Sequence, residues 1–165
     1  MVSVIKLSYH KRLFLMLLTF SWSIILCFVG FQYIREKQYK SEFLNAQLQL
    51  YNRHLIERVE NGLPYKNYIN INEKPFDELR ISIITLSGAV IYDNMLAVDS
   101  LDNHRMRPEI ADAIKKGTAY RIGRQSASDG REYFYSATKG NQVIVRTAIP
   151  YLPNYDSLGD FHYSQ

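Results

Sequence analysis

The chain has 165 residues, 47% of them hydrophobic, with 20 basic side chains, 16 acidic ones and a single cysteine. That length holds one ordinary domain with appendages, and one cysteine excludes an intrachain disulfide, so a folded region outside the cytoplasm must rest on its core alone. The net charge of +4 does not mark a nucleic-acid binder: Lys6, Lys11 and Arg12 precede the first apolar run, leaving 17 bases against 16 acids from Arg35 onward, and cations flanking a membrane span explain the excess.

Leu13 to Ile34, "LFLMLLTFSWSIILCFVGFQYI", runs for 22 residues without a charge. A helix of that length covers roughly 33 Å, enough to cross a hydrocarbon core of about 30 Å. A cleaved signal peptide would have a shorter apolar core and a small-x-small cleavage site; this run instead continues into "REKQYK". The reading is a retained anchor, with residues 1–12 in the cytoplasm, 13–34 in the membrane and the remainder outside.

Residues 35–62 continue as an amphipathic helix. No Pro or Gly interrupts Arg35 to Glu60, and Leu44, Leu48, Tyr51, Leu55 and Val59 recur at helical spacing. The stripe is either the seam of a homodimer or the surface that packs on the chain's own sheet. "NGLP" at Asn61 to Pro64 stops the helix. The connector that follows, rich in Asn, predicts only a short helical turn near Pro75 to Leu79.

Strand signals then come at short intervals. "RISIITL" (80–86), a Ser87-Gly88 turn and "AVIYD" (89–93) predict a hairpin. In "DNHRMRPEIADAIKKG", Pro108 opens a helix, Ile110, Ala113 and Ile114 form its apolar face, and Gly117 ends it. Asp102 or Asn103 is placed to satisfy backbone donors in the preceding turn, and His104 to close the same loop; direct ligand contact is the alternative. "TAYRIGRQS" (118–126), "EYFYSAT" (132–138) and "QVIVRTAIP" (142–150) add three strands, with turns at Asp129-Gly130 and Lys139-Gly140-Asn141. The fold expected is α+β: a transmembrane helix continued by a long amphipathic helix, then a five-stranded antiparallel sheet with a short helix.

In order, "RISIITLSGAVIYD", "DNHRMRPEIADAIKKG", "YRIGRQS", "EYFYSAT" and "VIVRTAIP" resemble the extracytoplasmic sensor region of phosphate-regulon-type sensor histidine kinases, the Bacteroidetes versions especially. The resemblance rests on Asn103, His104, Arg107, Pro108, Glu109, Arg124, Ser126 and Arg146 taken together. It implies a bacterial inner-membrane location, a PAS-like (PDC/sCache-type) domain over 63–151, homodimerisation, and a response regulator reached through a kinase portion. That portion's second span, phospho-accepting helix and ATP-binding boxes do not occur in these 165 residues, and 152–165 reads as a truncated tail. The chain as given is therefore expected to be a sensor and not an enzyme, with no cofactor and no metal cluster. A stand-alone anchored sensor and an input domain of a chemoreceptor or cyclase are the alternatives. A pilin-like subunit fits less well, because the span holds no acid and no Gly cleavage site precedes it.

Arg121 and Arg146 lie in strands, with Tyr133, Tyr135 and Ser136 nearby. They either bind a small anion through charge-assisted hydrogen bonds or serve as edge charges and packed aromatics.

Overall fold

The structure is a computed structural model that describes residues 8–70, 74–76, 78–126 and 130–151. The N-terminal segment 1–7, Asp129 of the expected turn and the tail 152–165 lie outside the described residues. Two compact units are present, Met1–Glu42 and Phe43–Gln165, and one helix, α1 (Tyr9–Glu60), contributes to both.

In the first unit α1 carries the charge-free run, with mean hydropathy 2.3 in its most apolar window and none of that window buried. Phe14, Met16, Phe20, Trp22 and Leu26 are exposed. Such a surface is stable only in an apolar solvent, and its length suits a bilayer. Thr19 donates its hydroxyl to the Met16 carbonyl at 2.9 Å and Ser41 to the Lys37 carbonyl at 3.0 Å, so both hydroxyls are satisfied inside the helix itself. Glu36 and Lys40 pair at 2.7 Å beyond the apolar run.

In the second unit the helix turns amphipathic. Leu48, Tyr51, Asn52, Leu55 and Ile56 are buried against Ile81, Ile83, Phe134, Val143, Val145 and Ile149 of the sheet. The stripe read from the sequence thus packs on the chain's own sheet, and Leu48 and Leu55 are fully enclosed. A polar seam runs through this apolar interface: Asn52 donates to the Thr138 hydroxyl at 3.3 Å, and Ser136 donates to Asn45 Oδ1 at 2.8 Å.

After α1 comes α2 (Tyr65–Asn70), which the sequence reading misses. Its reason is tertiary: Ile69 is fully buried and Tyr68 stacks on Tyr51 at 6.0 Å, so core contacts override the asparagines. At the predicted turn near Pro75, the Leu79 N–H bonds the Phe76 carbonyl at 3.2 Å.

The strands are β1 (Arg80–Thr85), β2 (Val90–Asp93), β3 (Thr118–Gln125), β4 (Glu132–Lys139) and β5 (Val143–Pro150), with α3 (Pro108–Lys116) between β2 and β3. They form one antiparallel sheet in the order β2-β1-β5-β4-β3. The α+β class, the long N-terminal helix and the five-stranded sheet with its short helix are as the sequence reading expects. The first and last strands are central neighbours, and β5 is buried on both faces from Val143 to Ile149. Its alternation therefore separates two kinds of buried face. One face meets α1; the other meets α3.

Candidate functional site: a buried arginine cluster under α3

On the α3 side, Ile110 and Ala113 of the helix pack on Ile84, Val90, Ala137 and Ile144. This half is apolar. The other half of the same face is charged, because strand register aligns polar residues there: Asp93 of β2 lies opposite Ser82 of β1, Ser82 opposite Arg146 of β5, and Arg146 opposite Ala137 of β4. Ser82, Ala137 and Ala148 are small, which leaves room for the Arg146 side chain, itself only 1% exposed. Into this space the first turn of α3 lowers Glu109, also fully buried.

The groups connect in a line. Arg80 Nε donates to Asp93 Oδ2 at 3.2 Å, and the Ser82 hydroxyl donates to the same oxygen at 2.8 Å. Ser82 in turn accepts from Arg146 Nη2 at 3.0 Å. Arg146 Nη1 faces Glu109 Oε1 at 3.5 Å, an ion pair at the limit of hydrogen bonding, while Arg124 Nη2 reaches that oxygen at 2.9 Å. The Tyr135 ring lies under both, 4.5 Å from the Arg124 guanidinium carbon and 5.2 Å from that of Arg146, and Tyr133 packs beside it at 5.8 Å.

His104 completes the site from the loop before α3. Its ring Nδ1 is 2.6 Å from the Asp102 carbonyl, which can only accept, so the proton is on Nδ1 and Nε2 presents a lone pair. Burial, then the charges of Arg146 and Arg107, hold the ring's pKa down to about 3. Burial also lowers Arg146 to about 10, despite the opposing pull of Glu109, and lowers Arg107, which the charge of Arg124 pushes down further. Among the described residues, three guanidinium groups therefore pair with two carboxylates, Arg80 with Asp93 and both Arg124 and Arg146 with Glu109, while Arg107 feels the charge of Glu109 without an ion pair to it.

A stability signature follows from His104. Unfolded, it takes up a proton near pH 6.5; folded, only near pH 3. Its contribution is complete above pH 6.5 and is lost as the pH falls toward 3, amounting by pH 5 to about 2 kcal/mol. His104→Asn keeps a donor for the Asp102 carbonyl and removes the titration. Urea unfolding at pH 7 and pH 5 should show a smaller pH-dependent loss in the variant; an unchanged loss would rule His104 out as its source.

The chain matches no family model, no curated protein and no solved structure. The site therefore has to be read from its own chemistry. The structure brings together His104, Arg107, Glu109, Arg124, Tyr133, Tyr135 and Arg146 from among the residues singled out by sequence. It places others elsewhere. Asn103 fixes the loop, donating to the Ser87 carbonyl at 3.1 Å and accepting from the backbone N–H of Arg105 at 2.9 Å in the turn before α3; Pro108 is the first residue of α3, whose cap position is Arg107 with no side-chain bond. Arg121 pairs with Asp112 at the sheet's edge strand, in keeping with the edge-charge reading. That reading fails for Arg146, which is central and buried. Ser126 closes the β3–β4 connection through its backbone, to Arg131 and Gly130. Ser136 points to the opposite face from Tyr135, toward Asn45, as a period of two requires.

Arg80, Ser82 and Asp93 were not singled out by sequence. The signal was present: in "RISIIT" the polar residues at 80 and 82 alternate with Ile81 and Ile83, which marks a strand with one polar buried face. Among the described residues no three His, Cys, Asp or Glu side chains converge as a metal site. What converges is a set of planar cationic forks, the geometry that suits an oxyanion.

Proposed function

We propose that this chain is the extracytoplasmic signal-sensing region of a bacterial inner-membrane sensor histidine kinase, acting as a homodimer in two-component signalling. The observation that carries the proposal is that one helix, α1, holds both a charge-free run long enough to span a bilayer and the buried stripe that forms the core of the sheet domain. A sheet domain built on its own anchor suits an input module, since anything that alters its packing acts directly on that helix. The motif residues His104, Arg107, Glu109, Arg124 and Arg146 support the same reading by meeting in one cluster on the face opposite α1. The partner surface for a second copy is the remaining apolar side of the helix, where Phe43 and Leu50 are 53% and 58% exposed one heptad apart.

Two cysteine variants test this in membranes of intact cells, both in a Cys27→Ser background. Lys116→Cys, at the exposed end of α3, should react with a membrane-impermeant maleimide added from outside. Leu50→Cys should form a disulfide-linked dimer on mild oxidation. Labelling of position 116 only after permeabilisation, or a chain that stays monomeric at position 50, would overturn the topology or the dimer respectively.

A further inference from the structure

The charged half of the α3 face has two kinds of buried atom without a hydrogen-bond partner. Arg124 Nε and Arg146 Nε are donors with no acceptor, while Glu109 Oε2 and His104 Nε2 are acceptors with no donor. Arg146, Glu109 and His104 are each at least nine-tenths buried, so each open position carries the full penalty of desolvation. The cluster also holds more guanidinium than carboxylate charge among the described residues, and Arg107, half-buried beside it, pairs with none of them while its charge bears on His104 and Arg146.

These requirements narrow the partner. A cation is excluded by the arginines. A bare oxyanion would satisfy the guanidinium donors but leave Glu109 Oε2 and the His104 lone pair unmet. A neutral polyol would meet the acceptors and leave the charge. We propose that the cluster is a binding site for a small oxyanion that also carries a hydroxyl group, a hydroxycarboxylate being the simplest such class. The carboxylate lies against the free edges of Arg107, Arg124 and Arg146, and the hydroxyl donates to Glu109 or His104. Arg107 is the gate-side member, because it is half-buried, as Arg124 is, and alone among the four arginines forms no ion pair with a carboxylate among the described residues. The proposal does not depend on which side of the membrane the sheet domain occupies.

The test is thermal unfolding of the full chain in detergent, followed by far-UV circular dichroism, with glycolate as probe, acetate as the matched anion lacking the hydroxyl, and chloride at equal ionic strength as reference. Glycolate should raise Tm saturably by several degrees, and acetate should need at least roughly tenfold higher concentration for the same rise, the loss of one hydrogen bond. Arg107→Gln should fold with a Tm in chloride no lower than the parent, since it relieves repulsion, and should lose the glycolate response. No saturable rise with glycolate, equal potency of acetate, or an undiminished response in Arg107→Gln would each overturn the proposal. The membrane-labelling result is unaffected by all three.

Discussion

Glu109→Gln is expected to destabilise the sheet domain by about 3–5 kcal/mol, more than the loss of any one arginine that it neutralises. Glu109 Oε1 receives Arg124 at 2.9 Å and faces Arg146 at 3.5 Å. Glutamine keeps the shape but removes the only carboxylate close to either guanidinium among the described residues, and it adds a donor where the arginines already supply too many. The position at the first turn of α3 also loses a charge that the helix terminus favours. Arg146→Met gives the opposite balance. It reduces the excess cation, leaves the Glu109–Arg124 pair intact, and fills the space beside Ala137 and Ala148 with an adaptable apolar chain. Its cost should stay below about 2 kcal/mol, mainly the hydrogen bond to Ser82. Urea unfolding of both variants, at low and high salt, checks the asymmetry. Because the groups are buried, salt should not rescue Glu109→Gln; a variant as stable as the parent would mean that the carboxylate does not neutralise the cluster.

The second large effect is expected at Gly88. Its φ is +94°, and a Cβ there would meet the Asn103 side-chain oxygen and, at 2.6 Å, the backbone nitrogen of Arg105. That approach is fixed from both sides, since the Gly88 carbonyl accepts from the His104 N–H at 2.8 Å and the Ser87 carbonyl from Asn103. Gly88→Ala combines backbone strain of about 1–3 kcal/mol with overpacking of similar size, so a loss of about 2–4 kcal/mol is expected. Gly62→Ala is the control: φ is +68° but nothing lies within 4 Å, and a loss of about 1 kcal/mol is expected from strain alone. Equal midpoints for the two variants would show that the hairpin does not clamp the loop. The clamp matters to the site, because it holds the segment from which His104 and Arg107 reach the cluster.

The elements were legible where one residue type decides them. Pro108 and Gly117 delimit α3 as read, Gly117 adopting φ +86° with its N–H on the Ala113 carbonyl, and all five strands fall within a residue or so of their expected ends. The legible part of the site is the membership of His104, Arg107, Glu109, Arg124 and Arg146; Arg80, Ser82 and Asp93 are not singled out, and the arrangement is not legible. Glu109 reads in sequence as an acid at a helix start, and only the register Ser82↔Arg146 together with the packing of α3 turns it into a buried counter-ion. Arg80 and Asp93 lie 13 residues apart in different strands, a relation that local pattern does not contain. The stripe Leu44, Leu48, Tyr51 and Leu55 reads as a contact surface, and its periodicity is the same whether the partner is a second helix or a sheet.

The pairing of β1 with β5 bears on how the chain is made. Ser82 and Arg146 meet across 64 residues; at a synthesis rate of about 5–20 residues per second, β1 waits several seconds for its central neighbour. Through that interval "ISIIT" has only the short β2 on one side, and its other edge is open to any strand nearby. The arginine and serine spaced along its α3 face make that waiting edge a poor match for an apolar stranger. Residues that in the finished protein gather charge thus also guard the nascent one against aggregation.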